Sequence, residues 1–103
     1  MKPFVQMFLQ YEVHESFIPQ YEQLMYDVAH HLENYEAANI RWEWTSDHLK
    51  QMTEWFIVPT ESHYFALKKL RTSRHHAVFG LLDRYVHGGV RCIQCYGVKR
   101  FRT

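Results

Sequence analysis

The sequence predicts an α+β fold in which six elements follow one another as strand, helix, strand, strand, helix, strand. In four segments apolar and polar residues alternate, which is typical of strands that bury one face. In the other two, apolar residues recur every three or four positions, as on the buried stripe of a helix. The length of 103 residues suits one domain, which we expect to span residues 1–103.

The first two elements are predicted from a change of period. Residues 4–13 alternate, with one wholly apolar face and one mixed face, and are predicted to form a strand. Residues 16–35 carry an apolar stripe at helical spacing. Ser16 is the expected N-cap of this helix, and Pro19 falls in its first turn, where a missing N–H group costs nothing.

A hairpin is predicted over residues 40–58. Residues 39–45 alternate again, and the polar cluster that follows them has the composition of a turn. Residues 51–58 form the returning strand, and Pro59 ends it. The two strands are therefore expected to lie side by side and antiparallel.

The last helical region is expected to begin with Thr60 or Ser62 as its N-cap. Its apolar positions continue to residue 86, with Thr72-Ser73 as a candidate break into two helices. Gly88-Gly89 ends the region by a turn that needs unusual backbone angles. Residues 90–98 are then predicted to form the last strand of an antiparallel sheet with helices on one face.

Charge and hydropathy exclude several classes of protein. With 12 Lys+Arg, 11 Asp+Glu and a net charge of +1, we expect neither a nucleic-acid nor a membrane partner. The basic end, residues 99–102, is interpreted as a solvated terminus. No apolar segment approaches the ~20 residues of a membrane span. The start has the pattern of a strand rather than of a signal peptide, so a cytoplasmic location is expected.

The two cysteines, Cys92 and Cys95, are interpreted as small buried apolar residues. On the predicted last strand, positions three apart point to opposite faces, so the two sulfur atoms cannot easily share a metal ion or a disulfide. Two cysteines also fit a reducing compartment. We expect neither a metal site nor a cofactor.

The aromatic content predicts a homodimer. The chain holds 3 Trp, 7 Tyr and 7 Phe, whose rings must be buried, and helices can cover only one face of the predicted sheet. A second copy of the sheet is the simplest cover for the rest. The alternative is a monomer with a few exposed aromatic residues. The side chains that we expect not to fit together under two helices are Trp42, Trp44, Met52, Phe56, Phe4 and Phe8.

The order of elements is the split β-α-β pattern of the ferredoxin-like fold, and the chain resembles the dimeric α+β barrel superfamily, which includes antibiotic-biosynthesis monooxygenase-like proteins. The resemblance covers most of the chain. It implies a homodimer with two sheets face to face and a pocket between sheet and helices or inside the barrel, but no single reaction. The residues that carry it are Tyr35, Arg41-Trp42-Glu43-Trp44, Glu54-Trp55-Phe56, Gly88-Gly89 and Tyr96.

Polar residues on apolar sheet faces must be paired or must meet a ligand, and they supply the candidate site. Glu43 or Glu54 is a candidate acid/base with a raised pKa in a dry site, or else half of an Arg–Glu pair across the dimer interface. His75 and His76 are candidate pocket residues, as a general base or haem ligand. The expected residues around a small apolar or aromatic ligand are Gln6, Gln10, Trp42, Trp55, Gln94 and Tyr96.

Two functions follow from these candidates. The first is a homodimer that binds a small apolar or aromatic ligand, and the alternative is a cofactor-independent monooxygenase-like enzyme. Haem degraders of the superfamily use a first-strand Asn with a Trp and a His from the second helical region. Here Gln6 stands on the first strand and no Trp follows Trp55, so only His75 or His76 matches and haem degradation is not expected.

Overall fold

The structure, a computed structural model, describes residues 2–46 and 48–102. Four strands and two main helices follow one another in the predicted order, and short 3-10 turns precede the first helix and fill the segment before the last strand. The bounds are β1 Lys2–Glu12, α1 Ile18–Glu33, β2 Ala38–Ser46, β3 Gln51–Val58, α2 Glu61–Arg71 and β4 Gln94–Arg102, with 3-10 turns Glu15–Phe17, Phe79–Arg84 and Val90–Cys92.

The strands form one antiparallel sheet in the order β2-β3-β1-β4. Helix α1 connects β1 to β2, which run parallel to each other with β3 between them. Helix α2 connects β3 to β4, which are also parallel to each other and have β1 between them. The α+β class and the antiparallel sheet are therefore confirmed, and the arrangement is compatible with a ferredoxin-like fold.

The core lies between the sheet and the helices. The predicted apolar face of β1 is confirmed, since its inward side chains from Val5 to Tyr11, together with Val13, are at most 4% exposed. Helix α1 buries its apolar stripe against them through Tyr21, Met25, Val28 and Leu32. The apolar face of β1 and the apolar stripe of α1 thus pack against each other in one core.

The edge strand β2 turns its two tryptophans toward α1. The ring of Trp42 lies 5.9 Å from that of Tyr26, and the ring of Trp44 lies 5.8 Å from that of Tyr21. Met52 and Phe56 on β3 are also buried on this side, at 2% and 0% exposed. The expectation that these side chains could not all lie under two helices is correct, but four of them do lie there, because the 16-residue α1 reaches across β3 to the edge of the sheet. Of the apolar pairs in question, only Phe4 and Phe8 lie on the other face.

The two helix starts differ from each other in their caps. Helix α1 begins after a 3-10 turn that contains Ser16, and its N-cap is Phe17, with no side-chain hydrogen bond. The prediction of Ser16 as cap was therefore wrong, whereas Pro19 lies in the first turn as expected. Thr60 is the N-cap of α2, and its hydroxyl accepts a hydrogen bond from the backbone N–H of His63 at 3.2 Å.

The second helical region ends earlier than its apolar pattern predicts. Helix α2 stops at Arg71, where the Thr72 hydroxyl donates to the Lys68 carbonyl at 2.8 Å. Further on, the Nδ1 atom of His76 accepts hydrogen bonds from the backbone N–H groups of Val78 and Phe79 and so starts a 3-10 turn instead of a helix. The candidate break at Thr72-Ser73 is confirmed, but a second α-helix does not follow it.

The last strand begins four residues later than predicted and continues through the basic end. Gly89 has a φ of +83°, and the Asp83 carboxylate accepts the N–H of Val90 at 2.9 Å, which together hold residues 90–92 in a turn. Residues 99–102 then pair with β1, with Arg100 opposite Phe4. Within residues 2–46 and 48–102, no helix combines the length and the apolar character needed to cross a bilayer.

Candidate functional site

One face of the sheet lies opposite the helices and carries three aromatic rings in a row across neighbouring strands. Trp55 on β3 is opposite Phe8 on β1, and Phe8 is opposite Tyr96 on β4. The guanidinium of Arg41 on β2 lies 4.7 Å from the centre of the Trp55 ring and completes the row. We call this surface, formed by the outward-pointing residues of β1 to β4, the open face.

The centre of the open face is apolar although it is in contact with solvent. Tyr96 is 51% exposed and Val98 is 42% exposed, while Phe8 and Trp55 are half-buried by their neighbours. Ile57 lies opposite Gln6 in the row next to them. A contiguous apolar patch of this kind commonly marks a site of interaction.

Three glutamine amides are set among these rings. The Gln6 amide nitrogen donates to the Phe56 carbonyl at 3.3 Å, and the Gln10 amide nitrogen donates to the Thr53 hydroxyl at 3.4 Å. The Gln94 amide oxygen accepts the Tyr96 hydroxyl at 3.1 Å. In the described part of the chain, the other polar atom of each amide has no side-chain hydrogen bond. Two acceptors and one donor are therefore available on this face.

The open face contains five of the six residues that the sequence predicts around a ligand. The exception is Trp42, which stands opposite Glu54 on β3 and shares its orientation toward the helices. Phe8 and Arg41 belong to the row but were not predicted as ligand residues. The sequence does contain a signal for them, since Phe8 is two positions from Gln6 and Arg41 is two positions from Glu43, so each pair shares one side of its strand. The predicted ligand residues on this face are Gln6, Gln10, Trp55, Gln94 and Tyr96.

Glu54 lies on the helix side of the sheet, in a buried polar cluster with Arg71 of α2. Its two carboxylate oxygens accept hydrogen bonds from the Arg71 guanidinium at 2.7 and 2.6 Å, and the side chains are 1% and 0% exposed. The Tyr11 hydroxyl donates to the same carboxylate at 2.5 Å and lies 2.6 Å from the hydroxyl of Tyr21. The Arg–Glu pair proposed for a dimer interface thus forms within one chain in the case of Glu54.

Burial and charge shift the protonation of this cluster. Burial, and then the negative charge of Glu54, raise the pKa of Tyr11 well above its usual range, and the pKa of Tyr21 rises for the same two reasons. Burial by itself would lower the pKa of Arg71, but the adjacent Glu54 carboxylate overrides it and the net shift is upward. Both tyrosines therefore stay protonated and Arg71 stays charged, as a structural ion pair requires.

The other candidate catalytic side chains do not meet Glu54. Glu43 is exposed on the open face at the sheet edge, opposite Thr53. His75 is exposed in the loop after α2. His76 stacks on Phe79, with ring centres 4.2 Å apart, and its Nε2 lies 3.1 Å from the Tyr35 hydroxyl.

The environment of His76 favours its neutral form. Its Nδ1 accepts two backbone N–H bonds and cannot carry a proton there. Desolvation, followed by the charges of His31 and Arg71, lowers its pKa. His76 therefore stabilises the start of the 3-10 turn through Nδ1, and its Nε2–H group points to the Tyr35 hydroxyl.

The two cysteines have different environments. Cys92 is exposed in the turn before β4, so its prediction as a buried residue was wrong, and that of Cys95, which is 8% exposed on β4, is confirmed. Burial raises the pKa of the Cys95 thiol to about 11, against the opposing charges of Arg71 and Lys68. In the described ranges, no three His, Cys, Asp or Glu side chains are grouped closely enough to hold a metal ion.

We expect a thiol reagent such as Ellman's reagent at pH 8 to modify Cys92 rapidly and Cys95 only after unfolding. The reactive species is the thiolate, which the raised pKa and the burial of Cys95 both suppress. The native protein should therefore release about one equivalent of chromophore and the urea-unfolded protein two. A Cys92→Ser control should release almost none before unfolding, and rapid labelling of that variant would contradict the buried position of Cys95.

No protein-family model matches the sequence, and no curated protein is significantly similar to it. The order of the elements and the sheet are compatible with a ferredoxin-like fold, and the resemblance to dimeric α+β barrels stays a prediction from the sequence.

Proposed function

We propose that the chain functions as a homodimer that closes the open face and holds a small apolar or aromatic ligand in the resulting interface. The observation that carries this proposal is the row of Trp55, Phe8 and Tyr96 on a sheet face that neither helix covers. Burying such rings against a second apolar surface is favourable by roughly 25 cal/mol per Å².

A second copy of this chain is the occupant favoured by charge. Lys2, Arg100 and Arg102 lie together at one end of the open face, because Lys2 is opposite Arg102 and Arg100 is opposite Phe4. Glu12 and Glu43 lie toward the other end. A copy turned end for end would set the basic end of one face against the acidic end of the other, as an isologous interface allows.

The size of the open face also suits a dimer. Four strands ~4.8 Å apart and about nine residues long, at ~3.3 Å per residue, give a surface of roughly 19 by 30 Å before side-chain relief is added. Stable interfaces bury about 800 Å² per partner. A face-to-face pair of these sheets is of that order.

The chemistry between the sheets would favour a flat, weakly polar ligand. Rings of Trp55, Phe8 and Tyr96 offer stacking surfaces, and Arg41 is already engaged with Trp55. The amide oxygens of Gln6 and Gln10 and the amide nitrogen of Gln94 supply hydrogen bonds that would orient it. We propose binding rather than oxygenation, since Glu43, Glu54, His75 and His76 occupy separate places.

The dimer is tested by two variants of the same strand, Tyr96→Glu and Phe101→Glu. Tyr96 is on the open face and Phe101 points to the other side, and the two are similarly exposed, at 51% and 57%. We expect the wild type and Phe101→Glu to sediment as dimers at micromolar concentration and Tyr96→Glu to sediment as a monomer, because a buried charge costs several kcal/mol.

A wild type that is monomeric at all concentrations, or equal dissociation of both variants, would overturn the proposed dimer. The ligand is tested on the same proteins by calorimetry with 2-naphthol as the probe, where we expect binding to the wild type and Phe101→Glu and loss in Tyr96→Glu. Binding of single-stranded oligonucleotides by a monomeric wild type would assign the open face to a different partner.

A further inference from the structure

A second concave surface lies away from the open face, where the loop after α2 meets the turn before β4. It is a cleft of about 720 Å³, a volume within the ~300–1,000 Å³ of small-molecule sites. Three segments form its walls: His14 shortly after β1, the loop with Arg74 and His75, and the residues from Asp83 to Arg91. None of these residues belongs to the open face.

The charge of this cleft is positive. Arg74 and Arg91 both line it, and among its described lining residues Asp83 alone is acidic. One oxygen of Asp83 is already occupied, since it accepts the N–H of Val90 at 2.9 Å. In the described part of the chain, neither guanidinium pairs with a carboxylate, so both are free to bind an anion from solution.

The backbone that carries the two arginines is held in place. Gly80 packs so closely on the main chain of Arg74 that a Cβ there would lie 2.7 Å from the Arg74 carbonyl carbon. Arg91 follows Val90, which is 1% exposed and tied to Asp83. Fixed backbones reduce the entropy lost when two guanidiniums close on one ligand.

We propose that this cleft binds a small phosphorylated molecule, with Arg74 and Arg91 as the ligands of its phosphate group and His14 and His75 at the border. Guanidinium groups pair with carboxylates and phosphates alike, but a phosphate group has a third acceptor oxygen and a larger negative charge, so it can bind two arginines at once better than a single carboxylate can. The site is independent of the proposed dimer, because the two surfaces share no residue.

Inorganic pyrophosphate is the probe that tests this proposal, by calorimetry at physiological ionic strength. We expect binding with a Kd below about 1 mM. Arg74→Gln and Arg91→Gln should each weaken it by about tenfold or more, since each removes charged hydrogen bonds. The control is Lys69→Gln, which removes one charge from an exposed position of α2 outside the cleft lining and should bind as the wild type does.

Absence of pyrophosphate binding by the wild type would overturn the proposal, as would equal weakening in the control, which would indicate only a general charge effect. Citrate under the same conditions separates phosphate from carboxylate recognition. If citrate binds more tightly than pyrophosphate through the same two arginines, the proposed phosphate class is wrong. The circular dichroism spectrum of each variant shows whether it is folded, and the dimer test above has its own readout.

Discussion

Replacing Arg71 with methionine is expected to lower the free energy of unfolding by about 3–5 kcal/mol. The change keeps most of the apolar stem but leaves the Glu54 carboxylate, 1% exposed, without its two guanidinium hydrogen bonds. Within residues 2–46 and 48–102, the Tyr11 hydroxyl is then the remaining side-chain donor to that carboxylate. Since domains of this size are stable by only about 5–15 kcal/mol, such a loss is a large part of the total. Urea unfolding followed by circular dichroism measures it.

The matched control is Lys99→Met, which removes the cation from an exposed pair. Lys99 lies 3.0 Å from Glu61, and both side chains are more than half exposed. Exposed ion pairs contribute little, so we expect this variant to lose less than about 1 kcal/mol. If Arg71→Met and Lys99→Met lower the free energy of unfolding equally, burial of the pair between Glu54 and Arg71 does not make it more important for stability than an exposed pair.

The buried ion pair between Glu54 and Arg71 could be predicted only in part from the sequence. Because Glu54 is a polar residue on an apolar strand, the sequence predicts that its carboxylate needs a partner. The sequence does not predict Arg71 as that partner, because an arginine near the end of a helix is most simply interpreted as a solvated side chain. Only the packing of α2 on β3 brings its guanidinium beside Glu54, and the periodicity of neither element contains that information.

The strands and α1 could be predicted because the spacing of the apolar residues in each, every second position in a strand and every third or fourth in a helix, matches the face that the element buries. The parity of β1 correctly separated Met7 from Phe8, and hence the core from the open face. The segment 72–93 could not be predicted in the same way. Its conformation depends on side-chain to backbone hydrogen bonds, from His76 and Asp83, and on glycines at close contacts, none of which leaves a repeating pattern.

The five predicted ligand residues of the open face share this origin. They are polar or aromatic side chains at alternate positions of their strands, and alternate positions lie on the same side of a sheet. Trp42 was wrongly included, since β2 alternates between an apolar set, Ile40, Trp42 and Trp44, and a polar set, and the apolar set is the one expected to face the helices. In the folded chain, the contact between the rings of Trp42 and Tyr26 shows that Trp42 faces α1.

Gly80 is where the segment 72–93 is expected to be least tolerant of change. An alanine Cβ at this position would meet the carbonyl group of Arg74, which is backbone and cannot rotate away. The two segments would have to separate, and overpacking of this kind costs about 1–3 kcal/mol or more. We expect Gly80→Ala to fall at the upper end of that range, measured by urea unfolding.

Gly97 provides the comparison that isolates the cause. A Cβ there would also clash, at 2.6 Å from an atom of the Tyr64 ring, but that ring belongs to a half-buried side chain that can move outward. Neither Gly80 nor Gly97 has a positive φ, so backbone conformation does not distinguish them. We therefore expect Gly97→Ala to cost about 1 kcal/mol or less. If the two substitutions cost the same, contact with fixed backbone does not explain the intolerance, and Gly80 does not position Arg74 as the geometry indicates.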